Sequence, residues 1–191
     1  MSHVLAFGDS LTAGYGLPGD RSFAAQLETL LRRDDPKARV TNAGISGDTT
    51  AGGRARLPRT LASLRRRPDL AILELGANDL LRGVPVAQMR DNLDWMLTEF
   101  ARCDIPVLLA GMMAPAFLGN FAQGYNAVFP ELAARHGTAF YPFFLEGVVG
   151  DAALVLADGI HPNARAVGMI AERILPHVQR ALAAPEARAA A

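Results

Sequence analysis

The chain has 191 residues, half of them hydrophobic, enough for one domain with a substantial core and no need of disulfides or a structural metal. Nineteen Lys and Arg balance nineteen Asp and Glu, and Lys37 is the only lysine, so the one-sided basic excess of a nucleic-acid or anionic-membrane binder is absent. The single cysteine, Cys103, excludes an internal disulfide and leaves both oxidising and reducing compartments open.

The first apolar run, HVLAFG from residue 3, begins almost at the initiator Met, with no basic and apolar leader before it. As written the chain is expected in the cytoplasm; removal of a leader would place it in the periplasm or outside the cell. HVLAFG predicts a first strand, and ARVTNAG, DLAILELG, IPVLLAGM and TAFYPF predict four more. Between them Phe23, Leu27, Leu30 and Leu31 form one helical stripe. Met89, Leu93, Met96 (or Leu97) and Phe100 form another. The longest apolar stretch, VLLAGMMAPAFLG, is too short and too broken by Gly and Pro to span a membrane, which takes about 20 residues. A last helix from about Ala164 carries Val167, Ile170, Ala171, Ile174, Val178 and Leu182, with Pro176 expected to kink or break it. Residues 1–183 read as one domain without repeats or linkers, and 184–191 as a frayed tail.

Strand and helix alternate, which predicts an α/β fold: three layers, α/β/α, around a five-stranded parallel sheet with right-handed crossovers. In such sheets ligands bind at the carboxyl ends of the strands. The loops there are Asp9 and Ser10 after the first strand, NAGISGDTT after the second, GANDLLRG after the third, and ADGIHPN before the last helix. All four gather on one edge.

A serine hydroxyl needs a base within hydrogen-bond reach and a carboxylate orienting that base before it can attack. Of the four histidines, His3, His136 and His177 sit where a solvated or structurally satisfied ring is expected. His161 stands in a Gly- and Pro-bracketed turn three residues after Asp158. A tight turn there folds the carboxylate onto one imidazole nitrogen and leaves the other free for Ser10. Turn and N-cap chemistry, with Asn163 capping the last helix, accounts for the same residues. Three donors fit a developing oxyanion: the backbone N–H of Ser10, that of Gly47, and the side-chain amide of Asn78. Gly44 competes with Gly47, and Asn78 fits an Asx-turn equally well. Asp9 and Asp79 read as acceptors fixing backbone N–H groups, and Glu74, inside an apolar strand, must find a partner or be neutral if buried.

GDSLTAGYG, NAGISGDTT, ELGANDLLRG and DGIHPN, in that order from the first strand to the last helix, resemble the four blocks of the GDSL or SGNH hydrolases. The resemblance is nearest to the small bacterial subgroup of thioesterase I, lysophospholipase and arylesterase type. It implies a flavodoxin-like fold and ester hydrolysis through an acyl-enzyme. It also implies Ser10 as nucleophile, His161 as base, Asp158 as its partner, and Ser10, Gly47 and Asn78 as the oxyanion hole. No cofactor and no metal site is expected. The expected partner is a small-molecule ester of short or medium acyl chain or an aryl ester, and the oligomeric state is left open.

For the acyl or aryl pocket the candidates are Met112, Met113, Phe117, Leu118 and Phe121, with Leu80 and Leu81 on a second rim; core packing explains part of the same pattern. Thioester, lysophospholipid and acetylated-sugar substrates remain open alternatives, since the same machinery serves any leaving group. Outside the enzymes, a flavodoxin-type module would use SLTAGYG to hold a flavin phosphate. A phosphoacceptor receiver would need a lysine after the fifth strand, far from Lys37.

Overall fold

The structure, a computed structural model, describes residues 1–189. Strands β1 (His3–Gly8), β2 (Arg39–Gly44), β3 (Leu70–Glu74), β4 (Val107–Ala110) and β5 (Ala139–Tyr141) form one parallel sheet in the order β2-β1-β3-β4-β5. This is the flavodoxin-like order, with a topological switch beside β1. The whole of β3 and β4, and β1 after His3, are buried, the continuous apolar pattern of strands covered on both faces. β2 is an edge strand and half exposed.

The helices are α1 (Ser10–Ala13), α2 (Phe23–Leu31), α3 (Thr50–Ser63), α4 (Ala77–Leu81), α5 (Val86–Arg102), α6 (Asn120–His136) and α7 (Ala164–Ala189). α2 packs with α7 on one face of the sheet, and α3, α5 and α6 pack in succession on the other. Both stripes read from the sequence face the core: Phe23, Leu27, Leu30 and Leu31 from α2, and Met89, Leu93, Met96, Leu97 and Phe100 from α5 are buried. Pro176 does not break α7, contrary to expectation. Ile170, Ala171 and Ile174 before it and Val178 after it are all buried, so packing on both sides of the proline holds the helix despite the missing backbone donor. Side chains of α7 are described as far as Ala184. The backbone of α7 continues as helix to Ala189, so of the frayed tail expected over 184–191 only 190–191 lie outside the described residues.

α3 and α6 carry no stripe that singles them out in the sequence. α3 buries only Thr50, Gly53 and Leu57, yet that spacing suffices because Gly53 lets the helix approach the sheet: a Cβ there would lie 2.4 Å from Leu75 Cδ1. α6 contains Pro130 and buries Tyr125, Val128, Phe129 and Leu132.

The register aligns the ends of three strands. Gly8 stands opposite Gly44 of β2 and opposite Glu74 of β3, so the loops leave the sheet at one level. At Gly44 the chain must also pass α1: a Cβ would lie 2.2 Å from Ala13 N and 2.8 Å from Asp9 O, both backbone atoms. Gly44→Ala is therefore expected to lower stability by about 1–3 kcal/mol through forced displacement of α1. Urea unfolding checks this, and an unchanged midpoint would mean that α1 shifts without cost.

Candidate active site

The chain turns sharply at the end of β1. Asp9 accepts from Leu11 N at 2.9 Å, capping the single-turn helix α1, and Gly14 closes it in the left-handed region at φ 83°. Ser10, buried apart from a small exposed fraction, is the first residue of that turn. On the other side, the long loop between β5 and α7 ends in a turn in which Asp158 Oδ1 accepts from the backbone N–H groups of Ile160 (2.9 Å) and His161 (3.0 Å). An antiparallel bridge between Val155 and Pro162 closes the loop's base, and Asn163 caps α7 through Ala166 N at 3.1 Å. The turn and N-cap chemistry is thus present, and it coexists with the second arrangement.

His161 Nδ1 lies 2.6 Å from Asp158 Oδ2, and His161 Nε2 lies 3.0 Å from Ser10 Oγ. Both ring nitrogens are engaged, 151 residues of chain separating the serine from its histidine. The backbone N–H donors of Ile160 and His161, together with the imidazole, hold the Asp158 carboxyl down at about 2. It is ionised at neutral pH and fixes Nδ1 as the protonated nitrogen, leaving Nε2 to accept from Ser10.

The Asn78 amide, in the first turn of α4, reaches across the edge and donates to Asp9 Oδ2 at 3.0 Å and to the Asp48 carbonyl at 2.9 Å. It therefore joins the β1, β2 and β3 loops, and an incoming oxyanion would compete with Asp48 O for one of its hydrogens. Gly47, the residue before Asp48, adopts φ 80°, and its carbonyl accepts from Arg82 at 2.8 Å. Asp48 itself pairs with Arg56 at 2.6 Å. That guanidinium also donates to Ala43 O and Gly8 O, each at 2.9 Å, and stacks over the Phe7 ring.

Three buried carboxyls lie beneath this edge. Glu74 Oε2 accepts from Thr12 Oγ1 at 2.7 Å and from Asp9 N at 3.3 Å, which gives that oxygen the partners its place in an apolar strand demanded, while Oε1 is buried without one. Burial, and then the charge of Asp9, push the Glu74 carboxyl well above the ordinary carboxylate range. Asp79 accepts from Thr50 N (2.8 Å) and Thr50 Oγ1 (2.5 Å), tying α4 to the start of α3, and burial raises it too. Asp9 and Asp79 do act as acceptors for backbone N–H groups, but the donor for Asp79 is remote rather than in its own turn.

The expected pocket wall is only partly present. Met112 is buried in the core, and Phe121, in the first turn of α6, stacks toward Tyr125. Both are packing residues, because α6 covers the sheet where an open wall was expected. Leu80 is half-buried against the core. Leu81 (71% exposed), Met113, Phe117 (85%) and Leu118 stay exposed, and they belong to a larger set. Tyr15, Ile45, Val149 and Ile160 are exposed as well, so each of the five strands is followed by a loop or short helix that presents a bulky apolar group to solvent. Sequence reading missed Tyr15, Ile45 and Ile160, although each lies within a block it quoted. A cavity of about 560 Å³ opens instead at the opposite edge, between Pro106, Thr138 and Ala181, and holds no part of the Ser10 arrangement.

Among the described residues no group of three or more His, Cys, Asp or Glu side chains is placed to hold a metal, and no helix is long and apolar enough to cross a membrane. A serine, a histidine and a carboxylate in sequence, set at the carboxyl edge of a parallel sheet, form the constellation of a serine hydrolase. The chain belongs to the GDSL-like lipase/acylhydrolase family, whose model matches residues 6–167. It is 41% identical over 174 residues to esterase TesA of Pseudomonas aeruginosa, covering 91% of this chain and 86% of that one. It is 36% identical over 170 residues to an arylesterase of Vibrio mimicus (88% and 84% covered). It is 34% identical over 177 residues to thioesterase 1/protease 1/lysophospholipase L1 of Escherichia coli (92% and 83% covered). Among solved structures, TesA superposes with a TM-score of 0.87 at 39% identity, covering 94% of this chain and 99% of that one. The SGNH-hydrolase esterase AlinE4 superposes at 0.80 and 46% identity, covering 95% and 96%.

Burial pushes the Asp9 carboxyl up to about 6 from 3.8, against the opposing hydrogen bonds of Leu11 and Asn78. The folded state thus binds this proton more tightly than the unfolded one, and the resulting stabilisation, on the order of 3 kcal/mol, is present below about pH 4 and lost as pH rises through about 6. His3 and His177, both lowered, act in the opposite direction, but equally in wild type and in an Asp9 variant. Asp9→Asn is therefore expected to gain stability relative to wild type between about pH 4.5 and pH 7.5. Urea unfolding of both proteins at the two pH values measures this, and a constant difference would contradict it.

Proposed function

We propose that this ester hydrolase acts on carboxylic esters of short- to medium-chain acids, aryl esters included, through an acyl-enzyme on Ser10. The observation that carries the reading is the unbroken chain from Ser10 Oγ through His161 to Asp158, at 3.0 and 2.6 Å. Ser10 Oγ attacks the ester carbonyl as His161 Nε2 takes its proton. The imidazolium, held by the ionised Asp158, returns that proton to the leaving alcohol. In the second half His161 takes a proton from water, the hydroxide attacks the acyl carbonyl, and Ser10 leaves with the proton restored. The oxyanion of each tetrahedral intermediate is assigned to Ser10 N–H, Gly47 N–H and the Asn78 amide, which exchanges Asp48 O for it.

The names of the relatives support an ester or aryl-ester substrate, and the apolar groups around the edge favour a hydrocarbon acyl portion over a sugar. Those same groups also favour the second reading, a thioesterase or lysophospholipase, in which a longer chain lies across them. A flavin-phosphate loop fits poorly. The N–H groups of Leu11, Ala13, Gly14 and Tyr15 and the Thr12 hydroxyl are consumed within the protein. Lys37 lies just before β2, at the other end of the sheet from the receiver position.

A series of p-nitrophenyl esters from acetate to palmitate tests the reading. Ser10→Ala is expected to lose at least about 1,000-fold in kcat, and Asp158→Asn about 100-fold or more without loss of fold by circular dichroism. Full activity of Ser10→Ala would overturn the mechanism, and a maximum beyond about twelve acyl carbons would favour the second reading. Asn78→Ala is expected to lower kcat by about 100-fold or more, because it removes an oxyanion donor together with the link from Asp9 to Asp48 O, and an unchanged kcat would remove Asn78 from the oxyanion hole.

A further inference from the structure

Proton transfer engages the two nitrogens of His161 and leaves the faces of its ring unused. Two in-plane hydrogen bonds, to Asp158 and to Ser10, leave an imidazole free to tilt about the line through its nitrogens. One face is met by Tyr15, whose ring centroid lies 4.3 Å from that of His161 with 34° between the planes. Tyr15 is not a loose surface residue, although it is 49% exposed. Its backbone N–H and that of Gly14 both donate to the carbonyl of Ser10, at 3.1 and 3.0 Å, so the tyrosine is tethered to the serine it flanks.

Gly14 and Gly16 on either side are left-handed, at φ 83° and 71°. A Cβ on Gly14 would lie 2.7 Å from Ser22 Cβ, and one on Gly16 2.7 Å from Leu156 Cδ1. Leu156 N in turn donates to the carbonyl of His161 at 2.7 Å. The turn that carries Tyr15 is thus pressed against the loop that carries His161, and the ring stack lies at their junction.

We propose that Tyr15 is a positioning residue acting through His161: its ring face fixes the tilt of the imidazole between Asp158 and Ser10 and lies against it as it takes up the serine proton. The inference rests on the acyl-enzyme reading. An aromatic face within about 6 Å of a cation attracts it, so the contact is worth more when the ring is imidazolium than when it is neutral. That difference acts on turnover rather than on substrate affinity. The stack uses the ring and not the hydroxyl, so phenylalanine serves as well as tyrosine, and leucine, of similar bulk but without a π face, does not.

The test compares wild type, Tyr15→Phe, Tyr15→Leu and Tyr15→Ala on p-nitrophenyl acetate, whose acyl group is too short to touch the outer apolar groups, and on p-nitrophenyl octanoate. Phosphorylation by paraoxon, read as a stoichiometric burst of p-nitrophenol, reports the attack by Ser10 separately. Expected are a fall in kcat of about fivefold or more for the Leu and Ala variants on both esters, KM on the acetate within about twofold, a matching fall in the paraoxon rate, and recovery in Tyr15→Phe. Unchanged kcat in Tyr15→Leu overturns the proposal. So does an effect confined to KM on the octanoate, which would make Tyr15 a wall for the acyl chain. A wild type inert to both esters and to paraoxon would instead defeat the acyl-enzyme reading itself.

Discussion

The edge where the chemistry sits is held by one circuit of polar contacts, and Glu74 anchors it. Its buried carboxyl takes Asp9 N and Thr12 Oγ1, which fixes the turn after β1. Asp9 accepts from the Asn78 amide, which also donates to Asp48 O, and the Asp48 carboxylate accepts from Arg56, whose guanidinium donates in turn to Gly8 O at the end of β1. Three loops, those after β1, β2 and β3, which the register leaves at a common level, are thereby joined side by side. Most of the atoms involved are shut off from water, so each missing partner would leave a buried polar group unsatisfied. The circuit is consequently stiff, and Ser10 sits inside it.

The circuit also explains what a single sequence makes legible. β1, β3 and β4 read correctly because burial on both faces gives unbroken Val, Ile and Leu runs, and β2 and β5 because glycine and proline bound them. The order of the blocks, together with the Asp158 and His161 spacing, pointed to the edge and the loops where Ser10, His161 and Asp158 meet. Glu74 stood out as a charge among apolar neighbours, but its partner Thr12 lies 62 residues away and nothing local points to it. Asp48 and Arg56 look like loop and surface charges until α3 brings them together. The apolar segment after β4 misled because its pattern is compatible with pocket and core alike. Where α6 lies decides between them, and α6 hides behind Gly124 and Pro130.

What remains exposed is equally informative. A site meant for a small polar ester needs few apolar side chains around it, and leaving them in water is unfavourable. Here Tyr15, Ile45, Leu81, Phe117 and Ile160 stay out of the core although the core could accommodate such residue types. They are carried by different loops, so no single folding constraint placed them all. On the proposed route, an open apolar margin around a stiff polar centre would separate two tasks: proton transfer at the centre, whatever the acyl group, and retention of particular acyl groups at the margin.

The buried carboxyls set an electrostatic problem that the same circuit answers. A negative charge on Asp9 favours the imidazolium that forms at His161 but disfavours the oxyanion that forms at the same moment. The Asn78 amide is bonded directly to Asp9 Oδ2, so its dipole stands between that charge and the oxyanion it is assigned to hold. Burial and the charge of Asp9 both disfavour ionisation of Glu74, the next carboxyl beneath the serine. The arrangement thus places one carboxyl where its charge aids the base, sets an amide between it and the oxyanion, and buries the next where ionisation is disfavoured. That is a division of labour a row of three ionised carboxylates could not provide.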